Sequence, residues 1–406
     1  MKEGSNIQMR VVSRMEEVDQ SSWEEIRDRN NLLTDLSYLK AVEESDVNEC
    51  EYQYFEFYKS GQLICSMFGY VIINDAVLFS GEFIKKFISA IRRILPGLLK
   101  IKTLEIGSPV GLGLTISVSP HIKREYLSSI VNLLKKYARQ NRIKVILVRD
   151  FKEGKAPIES ILSKAGFKCV PNLPDSIMKI EWGSFEEYLS CLKKNYRRQA
   201  RKKIRKKDDQ GIRTLISNEI GNLNRAKGYA ELVKNVTERA VEYARESIGE
   251  QYHVAMFNNL KGSSYWLQYY DDDDELVAFV HFIVYKGTMM LQYVGMDYEI
   301  SRDALLYFNS YYDQIKFAIE NGIKSIEAGI TTYRTKSELG FSLYPQRMYV
   351  WHKNPLLRPF IGMVFKANEN KMEEYHYAFK NNTNQYLWDG KDMFAFCDVN
   401  NTYLNR

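Results

Sequence analysis

Nowhere does the sequence hold a run of about 18 to 20 apolar side chains, the length needed to cross a bilayer. Its first residues, MKEGSNIQMRVVSRMEEVD, contain no apolar stretch of the kind a secretory signal uses. Both absences predict a cytoplasmic chain without a membrane span. Cysteine is scarce: Cys50, Cys65, Cys169, Cys191 and Cys397 are odd in number and scattered, with no C-x-x-C pair. That excludes a disulfide framework and a zinc site, and reads as reduced, small hydrophobes. Glycine at 23 and proline at 9 are too few for a collagenous or low-complexity chain. No pair of histidines has metal spacing, and the acidic run Asp271 to Glu275 lacks the spaced oxygens and glycine of a calcium loop. It reads as a solvated hairpin turn, and no metal is predicted. GLGLT at Gly111 has neither G-x-G-x-x-G spacing nor a following Lys-Ser/Thr, so it reads as a turn and not as a phosphate loop.

What the sequence does hold is 406 residues, 45% of them hydrophobic and 13% aromatic, which suits two domains with packed cores. The net charge is +6, and its distribution is uneven. The segment KKNYRRQARKKIRKK, from Lys193 to Lys207, holds ten basic residues and no acid, so one short segment makes the whole chain basic.

SSWEEIRDRN and TDLSYLKAVEESD read as short helices, the second capped by Thr34 or Asp35. YQYFEFYKSG, QLICSMFGYVII and DAVLFS read as strands separated by turns at Ser60-Gly61 and Asn74-Asp75. The helix FIKKFISAIRRILPGLLK, the strand TLEIGS, the helix EYLSSIVNLLKKYARQNR, the strand KVILVRDF and the helix APIESILSKAGF complete the first half. A Pro-rich turn then leads to a strand from Ser176 to Trp182, and to a helix opened by Ser184. The second half repeats the order: a long helix LNRAKGYAELVKNVTERAVEYARE, three antiparallel strands turning at Asp271 to Glu275 and at Lys286-Gly287, the helix ALLYFNSYYDQIKFAIENG and the strand KSIEAGI. The expectation is two α/β units, residues 1–174 and 175–406, the second containing a basic helix at 184–210.

Two constellations carry candidate chemistry. If SFEEYLSCLKKNYRRQARKKIRKKDDQ is one helix, Lys194, Arg197, Arg198, Arg201 and Arg205 share a stripe. Planar guanidinium forks on such a stripe suit phosphate groups; the alternative is a solvated basic face. The second is EAGITTYRTKSELGF, directly after a strand. There Glu327 can accept a proton from an attacking amine, while Tyr333 and Lys336 can donate to a developing oxyanion; the alternative is a polar loop with an N-capping Thr. His281, on the strand AFVHFIVY, reads either as a satisfied core histidine or as a base facing the crevice beside Tyr293, a further oxyanion donor.

The segments SFEEYLSCLKKNYRRQARKKIRK, LLYFNSYYDQIKFAIENGIKSIEAG, YRTKSELGF and NPLLRP together resemble the FemAB-related, peptidoglycan-biosynthesis-type branch of the GNAT acyltransferase superfamily. The resemblance covers about residues 30 to 360 and is strongest from Ser184 to Pro359. It implies an α/β fold of two tandem GNAT-like domains, each a mixed, mostly antiparallel twisted sheet flanked by helices. It also implies transfer of an acyl or aminoacyl group to an amine, with Glu327, Gly329, Tyr333 and Lys336 matching the Glu-x-Gly and Tyr-Lys positions of the branch. There are departures. Only Trp182 remains of a His-Trp-Asn-type segment, and YEISRDA, where the GNAT pyrophosphate loop should lie, has no glycine. The donors implied are acyl carrier protein or CoA thioesters, with aminoacyl-tRNA as the alternative, and no cofactor is held tightly. The acceptor implied is a small amine or amino acid. The alternative of another class is a non-catalytic nucleic-acid-binding protein built on a degenerate transferase fold.

Overall fold

Where glycine follows a polar residue between two apolar runs, the chain turns back on itself. Ser60 and Gly61 have φ of 50° and 81°, and Lys286 and Gly287 have 49° and 81°. These left-handed pairs give the tight turns whose twist matches the flanking strands. The computed structural model describes residues 7–75, 100–152, 158–219, 223–239, 246–367, 377–380 and 397. Nearly all of the expected strand DAVLFS and helix FIKKFISAIRRILPGLLK lies outside them.

Among the described residues the strands are β1 (Ile7–Val12), β2 (Glu51–Lys59), β3 (Gln62–Asp75), β4 (Lys100–Ile106), β5 (Ile116–Val118), β6 (Val145–Phe151), β7 (Lys168–Lys179), β8 (Arg213–Ser217), β9 (Ser264–Tyr270), β10 (Leu276–Tyr285), β11 (Thr288–Met296), β12 (Ser325–Glu327) and β13 (Ser342–His352). They form one sheet in the order β1-β2-β3-β4-β6-β13-β7-β12-β11-β10-β9-β8, with β5 beside β3. Only β4–β6 and β11–β12 are parallel pairs among these neighbours.

Read from either edge the order is the same: four antiparallel strands, a fifth parallel to the fourth, then a sixth. The sixth strands are exchanged. β7 follows β6 in the chain yet pairs with β12, and β13 follows β12 yet pairs with β6, while β7 and β13 pair with each other. The two α/β halves expected from element order are therefore present, joined in one continuous sheet where two separate sheets were expected. Residue 174 lies inside β7.

The helices are α1 (Gln20–Ile26), α2 (Leu36–Glu44), α3 (Arg124–Gln140), α4 (Glu159–Lys164), α5 (Phe185–Cys191), α6 (Lys194–Asp209), α7 (Leu223–Arg239), α8 (Glu250–Asn259), α9 (Tyr298–Ser301), α10 (Leu306–Glu320), α11 (Tyr333–Leu339) and α12 (Ile361–Ala367). Leu127, Ile130, Val131, Leu134 and Ala138 form the buried stripe of α3, at the three-to-four spacing of an amphipathic helix. One core, against α3 and α4, is built from the first half together with Tyr349 and Trp351 of the exchanged strand β13, and another, against α5, α6 and α10, from the second. A third is shared: Trp23, Tyr38 and Tyr54 of the first half pack in one cluster with Tyr252, Trp266 and Phe279 of the second. The halves thus share a core as well as a sheet.

The segment expected as one helix from Ser184 is two. Ser184 caps α5 through the Glu187 amide at 3.2 Å, but the chain opens at Leu192, with ψ of 145°. Residues 378–380 cause the break. They form a short bridge there, Lys193 N donating to Ala378 O at 2.8 Å and Lys380 N to Cys191 O at 3.0 Å.

Candidate active site

Proline cannot donate to a sheet ladder, so it sits in a strand mainly at irregularities. β7 shows this: between Asn172 and Asp175 its register against β13 slips by one residue, so the expected Pro-rich turn is a bulge at Leu173-Pro174. β6 bulges in the same way at Arg149 and Asp150, and Asp150 takes a φ of 67°. Bulges re-aim side chains. These two turn polar groups toward the centre of the sheet, where the sixth strands exchange.

Lys152, just past β6, lies 3.0 Å from Asp175 on β7 and 3.1 Å from Glu327 at the end of β12. The β7–β12 ladder runs on past Glu327 through Ala328 N to Ser176 O at 2.7 Å and Ser176 N to Gly329 O at 3.1 Å. Gly329, at φ 76°, then turns the chain out of the strand and donates its amide to Asp175 Oδ1 at 3.1 Å. Helix α11 returns over this turn. Lys336 Nζ donates to Gly329 O at 3.1 Å, and the Tyr333 hydroxyl to Pro174 O at 2.9 Å.

Burial decides the electrostatics. Asp175 is 1% exposed, whereas Lys152 and Glu327 each keep about a quarter of their side-chain surface open (27% and 26%). Burial works against the Lys152 ammonium, but Asp175 and then Glu327 outweigh it and hold it charged above the usual lysine range. Burial raises the Glu327 carboxyl, with Lys152 opposing and Asp175 adding to the rise. Burial lowers the Lys336 ammonium to about 7, opposed by Asp175.

The polar seam continues into the first half. Asn172 Nδ2 donates to Asp150 Oδ1 at 2.7 Å, and Arg149 reaches Asp150 at 3.3 Å and Glu105 at 3.1 Å. Tyr70, from the shared core, donates to Glu105 at 2.7 Å.

The sequence-derived candidates separate into three places. Glu327, Tyr333 and Lys336 meet at the sheet centre, with a difference in role: the tyrosine hydroxyl and the lysine ammonium are already engaged with backbone carbonyls, and Lys336 is 1% exposed. They brace the turn that carries Glu327. His281 and Tyr293 are elsewhere, in the shared core. His281 is fully buried between the Tyr252 hydroxyl at 2.9 Å and Ser264 Oγ at 2.7 Å, with its ring stacked on Trp266. Burial holds its pKa well below the usual range, so it is a neutral core histidine, as its lone position on a strand allowed. Tyr293 packs edge-on against Tyr252, its hydroxyl pushed well up by burial.

The basic residues occupy the third place, on α6. Lys194, Arg198, Arg201 and Arg205 are exposed and Arg197 is half-buried. Three of the five are engaged within the chain: Arg197 donates to Ser190 O at 3.2 Å, Arg198 to Asn195 Oδ1 at 3.3 Å, and Arg201 pairs with Glu186 at 2.9 Å, the one of these contacts with a carboxylate. Beside them a cavity of about 300 Å³ opens between α6, α10 and α11, lined by Asn195, Tyr196, Gln199, Lys203, Phe308, Tyr312, Glu338 and Leu339. Helix α11 therefore joins two regions, Glu338 and Leu339 facing the cavity and Lys336 facing the polar centre.

Lys152 and Asp175 are the site residues that sequence reading passed over. Lys152 is one more charge after KVILVRDF, and Asp175 follows a proline that reads as a turn. Only the strand exchange brings them to Glu327.

The sequence is matched over residues 14–386 by the model of the FemAB-like family, described as peptidoglycan biosynthesis/recognition. The chain belongs to the FemAB-like family. Among solved structures, FemX shares its fold with a TM-score of 0.54 at 12% identity, over 87% of this chain and 100% of that one. A tandem GNAT protein from the clavulanic acid biosynthesis pathway gives 0.49 at 9% identity, over 86% and 99%. Among curated proteins, a putative 8-amino-7-oxononanoate synthase 2 of Mycobacterium tuberculosis (strain ATCC 25618 / H37Rv) is 24% identical over 322 residues, 78% of this chain. The FemAB-like chain spans 41% of that protein's length. The α/β architecture of two like halves expected from the sequence is present, and its fold is the one FemX has.

Proposed function

We propose that this FemAB-like chain is an acyl- or aminoacyl-transferase that moves an acyl group from a thioester carrier, CoA or acyl carrier protein, to an amine. The observation that carries this reading is the Lys152–Glu327 pair: a partly open carboxylate beside a fixed ammonium, at the junction of the two halves. The acceptor nitrogen attacks the acyl carbonyl carbon, and the C=O electrons move onto oxygen. Lys152 faces that oxyanion, a preformed charge needing no reorganisation. Glu327, its carboxyl raised by burial above the usual carboxylate range, takes the proton from the attacking nitrogen. When the tetrahedral intermediate collapses, the C–S bond breaks and the thiolate recovers that proton from Glu327. Asp175, Tyr333 and Lys336 hold the Gly329 turn and so position Glu327. The exposed cations Lys194, Arg198 and Arg205 offer donor phosphates a docking face, and the cavity beside α6 leads toward α11. The same exposed cations favour, as the second reading, the larger polyanion of an aminoacyl-tRNA.

The test is a donor screen that reads free thiol release, run with Glu327→Gln beside the parent. Gln keeps the shape and leaves Lys152 paired with Asp175, so the variant should fold. The expected outcome is acyl-thioester turnover that falls about 10²- to 10⁴-fold in kcat while donor KM stays near the parent's. A Glu327→Gln enzyme within about threefold of the parent would remove Glu327 from the chemistry. Turnover of aminoacyl-tRNA alone would select the second reading. Salt-sensitive binding of unrelated nucleic acids without any transfer would replace both with a binding protein.

A further inference from the structure

Among the described residues six large hydrophobic side chains stand out as exposed, and four of them fall within eight residues of one another: Leu356 at 76%, Leu357 at 48%, Phe360 at 54% and Met363 at 65%. They sit on a 3-10 turn, Pro355–Phe360, and on the first turn of α12. The backbone that presents them is held firmly. Pro355 and Pro359 fix two φ angles, Asn354 Oδ1 accepts the Leu356 amide at 3.0 Å, and Arg358 Nε donates to His352 O at 2.9 Å. A rigid apolar tip of this kind is seldom left bare unless something covers it.

The surroundings of the tip say what. Arg358 and Arg139 lie on the Trp351 ring, at 5.1 and 5.4 Å from its centroid. Lys168 lies against Gly362, on α12, so closely that a Cβ there would come within 3.3 Å of its Cε. Lys353 and Lys366 are exposed on either side of the tip. Among the described residues none of these five cations forms an ion pair with a carboxylate. Arg139 and Arg358 press on one another with like charge. Such a cluster gains from an external anion, and an apolar tip within a cationic collar fits one kind of surface: acidic headgroups outside and acyl chains beneath.

We infer that the 355–363 tip with its collar of Arg139, Lys168, Lys353, Arg358 and Lys366 is a peripheral docking site for an anionic membrane surface. The apolar side chains enter the headgroup boundary, and the cations face the lipid phosphates. This inference does not rest on the transferase reading, because no residue of the Lys152–Glu327 centre takes part.

The test is cosedimentation of the intact protein with vesicles of phosphatidylcholine alone and of equal parts phosphatidylcholine and phosphatidylglycerol. Binding is expected to the acidic vesicles only, weakening as salt rises. Arg139→Gln with Arg358→Gln should reduce partitioning about fivefold for each charge removed. Leu356→Ser with Phe360→Ser should reduce it at least about tenfold, at an unchanged melting temperature because these side chains are exposed. A parent protein that stays in the supernatant with acidic vesicles overturns the inference. So do apolar-tip variants that sediment as the parent does, since the cations would then be serving a free polyanion. A parent that self-associates through the tip, with serine variants monomeric and no vesicle binding, overturns it in favour of a second copy of the chain.

Discussion

Lys336 shows how far one residue could be read in advance. Its place after a strand, three residues past Tyr333, marked it as chemical, and the structure does put it beside Gly329 and Asp175. Its burial could not be read, and burial changes its role. An ammonium 1% exposed and lowered to about 7, from an ordinary value of 10.5, makes folding depend on pH. In that window the folded chain has released a proton that the unfolded chain still holds, so stability should rise as pH goes from about 7 toward 10.5. The slope from this one group is at most about 1.4 kcal/mol per pH unit. Denaturation midpoints of the parent and of Lys336→Met, compared across that range, should differ in slope, the variant being flatter. Equal slopes would mean that Lys336 is not titrating between these limits. Lys152 and Asp175 were illegible for a different reason: their chemistry lies in the partner, and no local pattern names a partner far away in the chain.

At the scale of elements, local signals were legible wherever local physics decides. The Ser184 cap, the Asp35 cap of α2 and the two Xaa-Gly hairpins stand where the sequence placed them. Helix periodicity failed between Cys191 and Lys194, since nothing in SFEEYLSCLKKNYRRQ announces a break. The cause is the strap at 378–380. Phe379 packs on Trp182 at 5.3 Å and on Tyr188 at 6.1 Å, and fills space that only a glycine at 340 leaves, since a Cβ there would lie within 2.4 Å of its ring. Gly340 also ends α11 at φ 100°. The strap therefore clamps α5, α6 and α11 together. Phe379→Ala should cost about 3 to 5 kcal/mol, as other buried aromatic truncations do, read as a lower denaturant midpoint at an unchanged m-value. A loss below about 1 kcal/mol would show that the strap only rests on the surface.

For the whole molecule, the repeated element order was enough to foresee two like halves, and the exchange of their sixth strands was not. Strand patterning gives a period of two and a buried face, so β7 can pair with β6 or β12 at the same apparent fit; the neighbour is chosen by the whole sheet. The choice has a consequence for any division of the chain. A cut at 174 splits β7 between Pro174 and Asp175, parting Lys152 from the residues it pairs with and opening the shared core along Tyr38, Tyr252 and Trp266. Residues 1–174 and 175–406, produced separately, are each expected to aggregate or remain unfolded, because each leaves unpaired strand edges and bared aromatics. Produced together, they should recover a one-to-one complex with the parent's near-ultraviolet dichroism, since every strand the sheet needs is again present. A first fragment that alone is monomeric and melts cooperatively would show that the halves are independent domains and that the exchange is incidental to folding. If the complex forms but lacks thiol-releasing activity where the intact chain has it, then the continuity of β7 through Pro174 and Asp175 is what aligns Lys152 with Glu327.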